Sequence, residues 1–171
     1  MNPLARLGTL EDAALLAELG RRTFREQCQN TTEQYVRSYI EAHFTVKKIS
    51  RYLNEQSAVF YLLVMQREPI GYALLRQGEA LPGCVPESAA LLERLYLLEA
   101  WTGQRFADVL MARCLDHALH RGMTHLWLTV WEQNRRAIRF YNRWGFQSVG
   151  SYDFKIGTEV QKDIVFVKEL G

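Results

Sequence analysis

No apolar run in this chain approaches the roughly 18–20 residues that carry a helix across a bilayer, so no membrane span is expected. The opening segment MNPLARLGTLEDAALL has no uninterrupted apolar core of the kind a secretory leader needs. Cysteine is sparse. Cys28, Cys84 and Cys114 are odd in number and far apart, which argues against a disulfide framework and for a reducing, cytoplasmic setting. Histidine is scattered over His43, His117, His120 and His125 without compact ligand spacing, so no metal is expected. An excess of one charge is also missing. With a formal net charge of +2 and no block of five or six like charges, nucleic acid is not an expected partner. GRRTFR and NRRAIRFYNR are basic at helical spacing and read as solvated helix faces. Repeats, low-complexity segments and linkers are absent, and 171 residues suit a single domain, 1–171, with one core.

What is present is a clear succession of elements. Thr9 is placed to cap a first helix, with Asp12 three residues on, close to a capping box. Leu15, Leu16, Leu19, Thr23 and Phe24 recur at helical spacing. A second helix is expected near Thr32 with Tyr35, Tyr39, Ile40 and Phe44 on one side, and a short third over Val46 to Leu53. The texture then becomes β-rich. AVFYLLVMQ (Ala58 to Gln66) and IGYALLRQ (Ile70 to Gln77) read as a hairpin turning at REP. A loop follows from Gly78 to Ser88, then a strand from Ala89 to Glu99.

Beyond that strand lies WTGQRFADVLMARCLDHAL, a loop entering a helix on which Phe106, Val109, Leu110, Cys114, Leu115 and Ala118 trace one stripe. Gly122 ends this helix. THLWLTVW (Thr124 to Trp131) reads as a strand, NRRAIRFYNRWG as a helix from Asn134 closed by Gly145, and the remainder as a β-hairpin. The strand–helix–strand unit implies a parallel pair within a mixed sheet, with helices on both faces.

Three places invite chemistry. The first is the turn into the helix after the loop. A helix N-terminus has unpaired N–H groups and a positive dipole end, and both suit a phosphate. Gly103 and the small Ala107 permit close approach, and Arg105 between them could add a charge-assisted contact. The competing reading is an ordinary helix start with a surface arginine. The second is Asn134, Ile138 and Tyr141, which share a helix face. Asn134 is equally an N-cap, and Tyr141 equally a core aromatic. The third is Glu93, on an apolar strand where Leu91, Glu93, Leu95 and Leu97 alternate with Leu92, Arg94, Tyr96 and Leu98. A carboxylate there serves as a general base or as one half of an ion pair.

Taken together, LERLYLLEAWTGQRFADVLM and LWLTVWEQNRRAIRFYNRWGF resemble the acetyl-CoA-binding core of the GNAT N-acetyltransferases. That family shows an apolar–Tyr–apolar strand end, a loop Arg/Gln-x-x-Gly-x-Gly/Ala, and later an Asn followed by A-x-x-F/Y-Y-x-x-x-G-F. Here the matches are Leu95-Tyr96-Leu97, the loop Thr102-Gly103-Gln104-Arg105-Phe106-Ala107, and Asn134, Ala137, Phe140, Tyr141, Gly145 and Phe146. Two positions depart: Thr102 stands for Arg/Gln, and Arg105 for the middle glycine. The ending SYDFKIGTEVQKDIVFVKEL with LTVWEQNRRAIRFY is similar to bacterial polyamine (spermine/spermidine) N-acetyltransferases.

The resemblance implies an α/β (α+β) GNAT fold with about seven strands, mostly antiparallel, and a splayed central parallel pair. It implies acetyl-CoA as acetyl donor, without a metal, and a small-molecule amine acceptor, with polyamines first. The pyrophosphate would lie on the N–H groups of Gly103 to Asp108, and the pantetheine arm along Leu95 and Leu97. Tyr141 would protonate the departing thiolate, Glu93 would act as base, and Asn134 would hold the cofactor arm or position Tyr141. A protein N-terminus or lysine as acceptor, and a non-catalytic CoA-binding module, are the alternative readings; a homodimer is compatible with all three. Glu26, Glu33 and Glu41 are candidates for an acidic acceptor mouth, or are solvated helix faces.

Overall fold

The computed structural model describes residues 2–81 and 83–171. Among these, the chain runs β1 (Leu4–Leu7), a 3-10 turn (Leu10–Asp12), α1 (Ala13–Gln27), α2 (Glu33–His43), α3 (Val46–Asn54), β2 (Ala58–Met65) and β3 (Glu68–Gln77). It continues through β4 (Ala89–Leu97), a second 3-10 turn (Glu99–Trp101), α4 (Phe106–His120), β5 (His125–Trp131), α5 (Arg135–Arg143), β6 (Gln147–Ile156) and β7 (Glu159–Glu169). The strands follow the order β1-β2-β3-β4-β5-β7-β6, with β4 and β5 parallel. The chain condenses into two compact units, one holding the residues up to Leu75 and Arg94–Cys114, the other Arg76–Glu93 and Leu115–Gly171.

In the first unit, β1 pairs antiparallel with β2 from Leu4↔Val64 to Leu7↔Tyr61. Sequence pattern does not announce this strand, because only Ala5 of its four residues is buried and both leucines are exposed. The core gathers Ala13, Leu16, Ala17 and Leu19 of α1 and Ile49 and Tyr52 of α3 over Phe60, Leu62, Tyr72 and Leu74. Each fully buried large side chain of this kind contributes about 1.5–3 kcal/mol. The α1 stripe is rotated from the expected one: Leu15 is exposed, and Ala13, Ala17 and Gly20 face inward. Gly20 is there because a Cβ would lie 2.4 Å from the Phe44 ring. On α2, Val36 joins Ile40 in the core, and Tyr39 stacks on Phe24 at 4.6 Å between centroids.

The β2–β3 turn is one step earlier than expected. Gln66 and Arg67 form it with φ of 52° and 73°, the left-handed pair a two-residue hairpin needs, and Glu68 and Pro69 already belong to β3. The start of α1 is locked by Asp12. Its carboxylate accepts two guanidinium N–H groups from Arg6 (2.8 and 2.7 Å) and the Thr9 N–H (2.8 Å), so β1 and the helix entry share one anion.

In the second unit, β7 lies between β5 and β6. It pairs antiparallel with β5 from His125↔Glu169 to Trp131↔Asp163 and with β6 from Gln147↔Val167 to Ile156↔Glu159. Val85, Ala89, Trp127 and Val165 pack together, and the Trp127 indole N–H donates to the Glu79 carbonyl at 2.8 Å. The β4–β5 ladder is short, pairing Ala89–Leu91 with His125–Trp127, while β4 extends to Leu97 and β5 to Trp131. β4 stops at Leu97 and not Glu99, since Glu99 opens the second 3-10 turn.

Candidate active site

The strand–loop–helix of the first unit is tightly braced. Glu26 on α1 accepts the Glu99 N–H at 2.8 Å. The Thr102 hydroxyl and N–H both reach the Glu99 carbonyl, at 2.8 and 3.1 Å, and the Gln104 amide reaches the Ala100 carbonyl at 3.3 Å. The chain then passes two left-handed residues, Gly103 (φ 77°) and Arg105 (φ 64°), before α4 begins at Phe106. Glycine adopts such φ freely and arginine does not. The Arg105 position therefore has the backbone shape of a glycine without being one. Its guanidinium Nε bonds the Asp108 carboxylate at 2.9 Å.

One expected anion donor is spent. The Asp108 N–H closes the first turn onto the Arg105 carbonyl at 3.1 Å. The N–H groups from Gly103 to Ala107 make up the helix-entry face that suits an anion. Leu95, Tyr96 and Leu97 end β4 nearby in sequence, and Gly71 of β3 crosses them closely: a Cβ there would fall 2.5 Å from the Tyr96 carbonyl oxygen and 2.4 Å from Leu97 Cδ2. Two members of the candidate acidic mouth are already matched, Glu26 by Arg22 and the Glu99 N–H, and Glu33 by Arg25 at 2.6 Å.

The second unit holds the other candidates. Asn134 caps α5: its Oδ1 accepts the Ala137 N–H at 3.1 Å, and its own N–H donates to the Trp131 carbonyl at 2.9 Å. Tyr141 is buried, edge-on to Phe140 and Phe146 at 5.3 and 5.7 Å and close to Phe166. Gly145 (φ 83°) lets the chain reverse so that the Phe146 N–H returns to the Tyr141 carbonyl. Glu93 forms the ion pair that competes with its reading as a base, bonding Arg76 at 3.2 Å; Arg76 also meets Glu79 at 2.7 Å.

Sequence alone does not single out Asp163. Asp163 is 5% exposed and accepts hydrogen bonds from the Gln161 amide (3.1 Å) and the Thr129 hydroxyl; burial pushes its carboxyl above the ordinary range. The thiols are not poised for attack where burial acts on them. It pushes Cys28 up to about 11 and Cys114 higher still. Among the described residues, no three His, Cys, Asp or Glu gather as a metal ligand set, and no helix is long and apolar enough to cross a membrane.

The chain is similar to known proteins over most of its length. The acetyltransferase (GNAT) family profile matches residues 20–146. An uncharacterized N-acetyltransferase of Mycobacterium tuberculosis is 30% identical over 162 residues, covering 94% of this chain and 99% of its own length. An uncharacterized N-acetyltransferase of Lactobacillus delbrueckii subsp. lactis is 24% identical over 153 residues, covering 89% and 88%. Among solved structures, the PaiA N-acetyltransferase of Thermoplasma acidophilum in complex with coenzyme A superposes with a TM-score of 0.78 at 22% identity, over 99% of both chains.

Proposed function

This chain belongs to the acetyltransferase (GNAT) family, and from that membership we propose that residues 1–171 form one domain that transfers acetyl from acetyl-CoA to a primary amine, with polyamines as first candidates. The observation that carries the donor side is the helix entry itself. A backbone with left-handed residues at positions 103 and 105 opens directly into α4, presenting the Gly103–Ala107 N–H groups. These would hold the pyrophosphate, with Thr102, Gln104, Phe106 and Asp108 shaping the turn. Leu95, Tyr96 and Leu97 would pair with the pantetheine arm, and Asn134 and Ala137 would hold that arm from the start of α5. Support for the donor comes from the Thermoplasma acidophilum relative, whose structure holds coenzyme A. Support for a polyamine comes from the likeness of the SYDFKIG…VFVKEL ending to polyamine acetyltransferases.

When bound, acetyl-CoA supplies an activated acyl carbonyl. The chain supplies the proton handling. An alkyl amine arrives protonated, since its pKa lies near ~10.4, and Glu93 serves as base, directly or through water. The Leu97 N–H donates to the carbonyl oxygen as charge gathers there. Tyr141 gives its phenolic proton to the departing sulfur. Attack is direct, within a ternary complex, and no enzyme acyl group is needed.

The test is release of free CoA thiol over a panel of polyamines, monoamines, amino acids and peptides. Turnover is expected with polyamines, and response to peptides alone would move the acceptor to a protein N-terminus or lysine. Tyr141→Phe should lower kcat about 100-fold with KM for acetyl-CoA little changed, in line with the usual worth of a general acid. An unchanged kcat removes Tyr141 from that role.

A further inference from the structure

The second unit contains a buried carboxylate that the proposed chemistry leaves unused. In the antiparallel register Trp127↔Val167, Thr129↔Val165 and Trp131↔Asp163, Asp163 shares a side of the sheet with Trp127, Thr129 and Trp131. The parallel register Leu91↔Trp127 places Leu91 on that same side, and with it Glu93 two residues on. Phe166 points the opposite way, where Tyr141 of α5 packs against it. The β4–β5 ladder ends at Leu91 and Trp127, and the next residues on the shared side are Glu93 and Thr129. Glu93 therefore sits just past the end of the ladder on the side away from Tyr141, and Asp163, opposite Trp131, lies further along β5 on that same side.

They differ in company. Glu93 has a cation, Arg76, at 3.2 Å. Asp163, 5% exposed, is held by the neutral Gln161 amide and Thr129 hydroxyl, and among the described residues it has no cationic partner. Its register partner on β6 is Tyr152, which is exposed. A buried carboxylate with neutral donors alone is costly, and the complement that removes the cost is a cation bearing N–H donors. An acetyl acceptor that arrives as an ammonium ion is such a group.

We propose that Asp163 is the carboxylate that receives the acceptor's ammonium group, with Thr129 and Gln161 fixing its orientation. The inference rests on the amine-acetylation reading above. It makes the acceptor cationic, approaching from the side of the sheet opposite Tyr141. No bond is made or broken in this step: an ammonium N–H donates to an Asp163 oxygen.

The experiment is steady-state kinetics of Asp163→Asn, with the amine that wild type turns over best. Asparagine keeps the size and can still accept from Thr129, and equal melting temperatures of the two proteins confirm the fold. KM for the amine should rise by about tenfold or more, as when a buried charge loses its complement, while kcat and KM for acetyl-CoA stay within about twofold. An amine KM within about twofold of wild type overturns the inference. So does a loss spread over kcat and both KM values, the mark of a merely structural role. If wild type itself turns over no amine in the panel, the amine reading fails, and the inference with it. That outcome is distinguishable because it precedes any mutation.

Discussion

Arg105 stands where a glycine would be expected, at φ 64°, and keeps that geometry with a side chain 79% exposed. A left-handed non-glycine residue costs roughly 1–2 kcal/mol, and the exposed contact with Asp108 returns little of it. The backbone at this position already has the shape glycine would give. Replacement by glycine therefore adds no closer approach to a phosphate and removes a cation beside it. Arg105→Gly and Arg105→Ala should both weaken acetyl-CoA binding, by about three- to tenfold, with a larger loss at low salt where surface charge is least screened. Calorimetric titration at two salt concentrations measures this. Tighter binding by the glycine variant would mean that the arginine merely obstructs. The general position of this loop is legible from residues 95–107, because a strand end, one glycine and a helix start fall at fixed spacing. Asp163 is not legible, because in VQKDIVFVKEL it reads as the polar member of an alternating strand. Its burial depends on β7 lying between β5 and β6, which local pattern does not reveal.

Elements are held at a few close crossings, and Gly71 marks one of them. A methyl there would meet the Tyr96 carbonyl oxygen at 2.5 Å and the Leu97 Cα at 3.2 Å, and neither backbone atom can step aside as a flexible side-chain tip would. Gly71→Ala should push β3 and the end of β4 apart, costing about 1–3 kcal/mol, the range for overpacking, and so lowering Tm by roughly 5 °C. Because the displaced segment is Leu95–Leu97, KM for acetyl-CoA should rise as well. Thermal melts and kinetics check both, and a variant with unaltered Tm would show that the crossing is looser than described. Most elements here are legible from periodicity, including β4, α4, β5 and α5, which carry the candidate residues. Those missed or shifted have physical reasons. β1 is four residues long with one buried position. The Gln66–Arg67 turn uses φ above zero without glycine or asparagine. On α1, small residues rather than Leu15 make the inward face, since α1 and α2 approach closely at Gly20.

Stability of the whole molecule should carry opposing pH signatures. Burial lowers the His117 pKa from its ordinary value of 6.5. The unfolded chain therefore takes up that proton first, and stability falls as pH drops through 6.5 toward the folded value. Burial raises Asp163 above 3.8, so its contribution is lost in the other direction, as pH rises from 3.8 through the folded value. Asp12 dominates at the acid end. The Arg6 guanidinium, with the Thr9 N–H, holds its carboxyl at about 2 against an ordinary 3.8. A depressed carboxyl contributes stability that is fully present above 3.8 and is lost as pH falls toward about 2. Arg6 is 42% exposed, so solvent screening reduces the contribution to about 1 kcal/mol. Asp12→Asn should thus be less stable than wild type by about 1–2 kcal/mol at pH 7, once the loss at the helix entry is included. The gap should hold down to about pH 4 and narrow between pH 4 and 3, as Asp12 of the unfolded wild-type chain takes up its proton while the folded one stays ionised. Urea midpoints of the two proteins at several pH values measure it. A gap unchanged from pH 7 to 3 would assign the loss to shape at the helix entry, and not to the charge that joins β1 to α1.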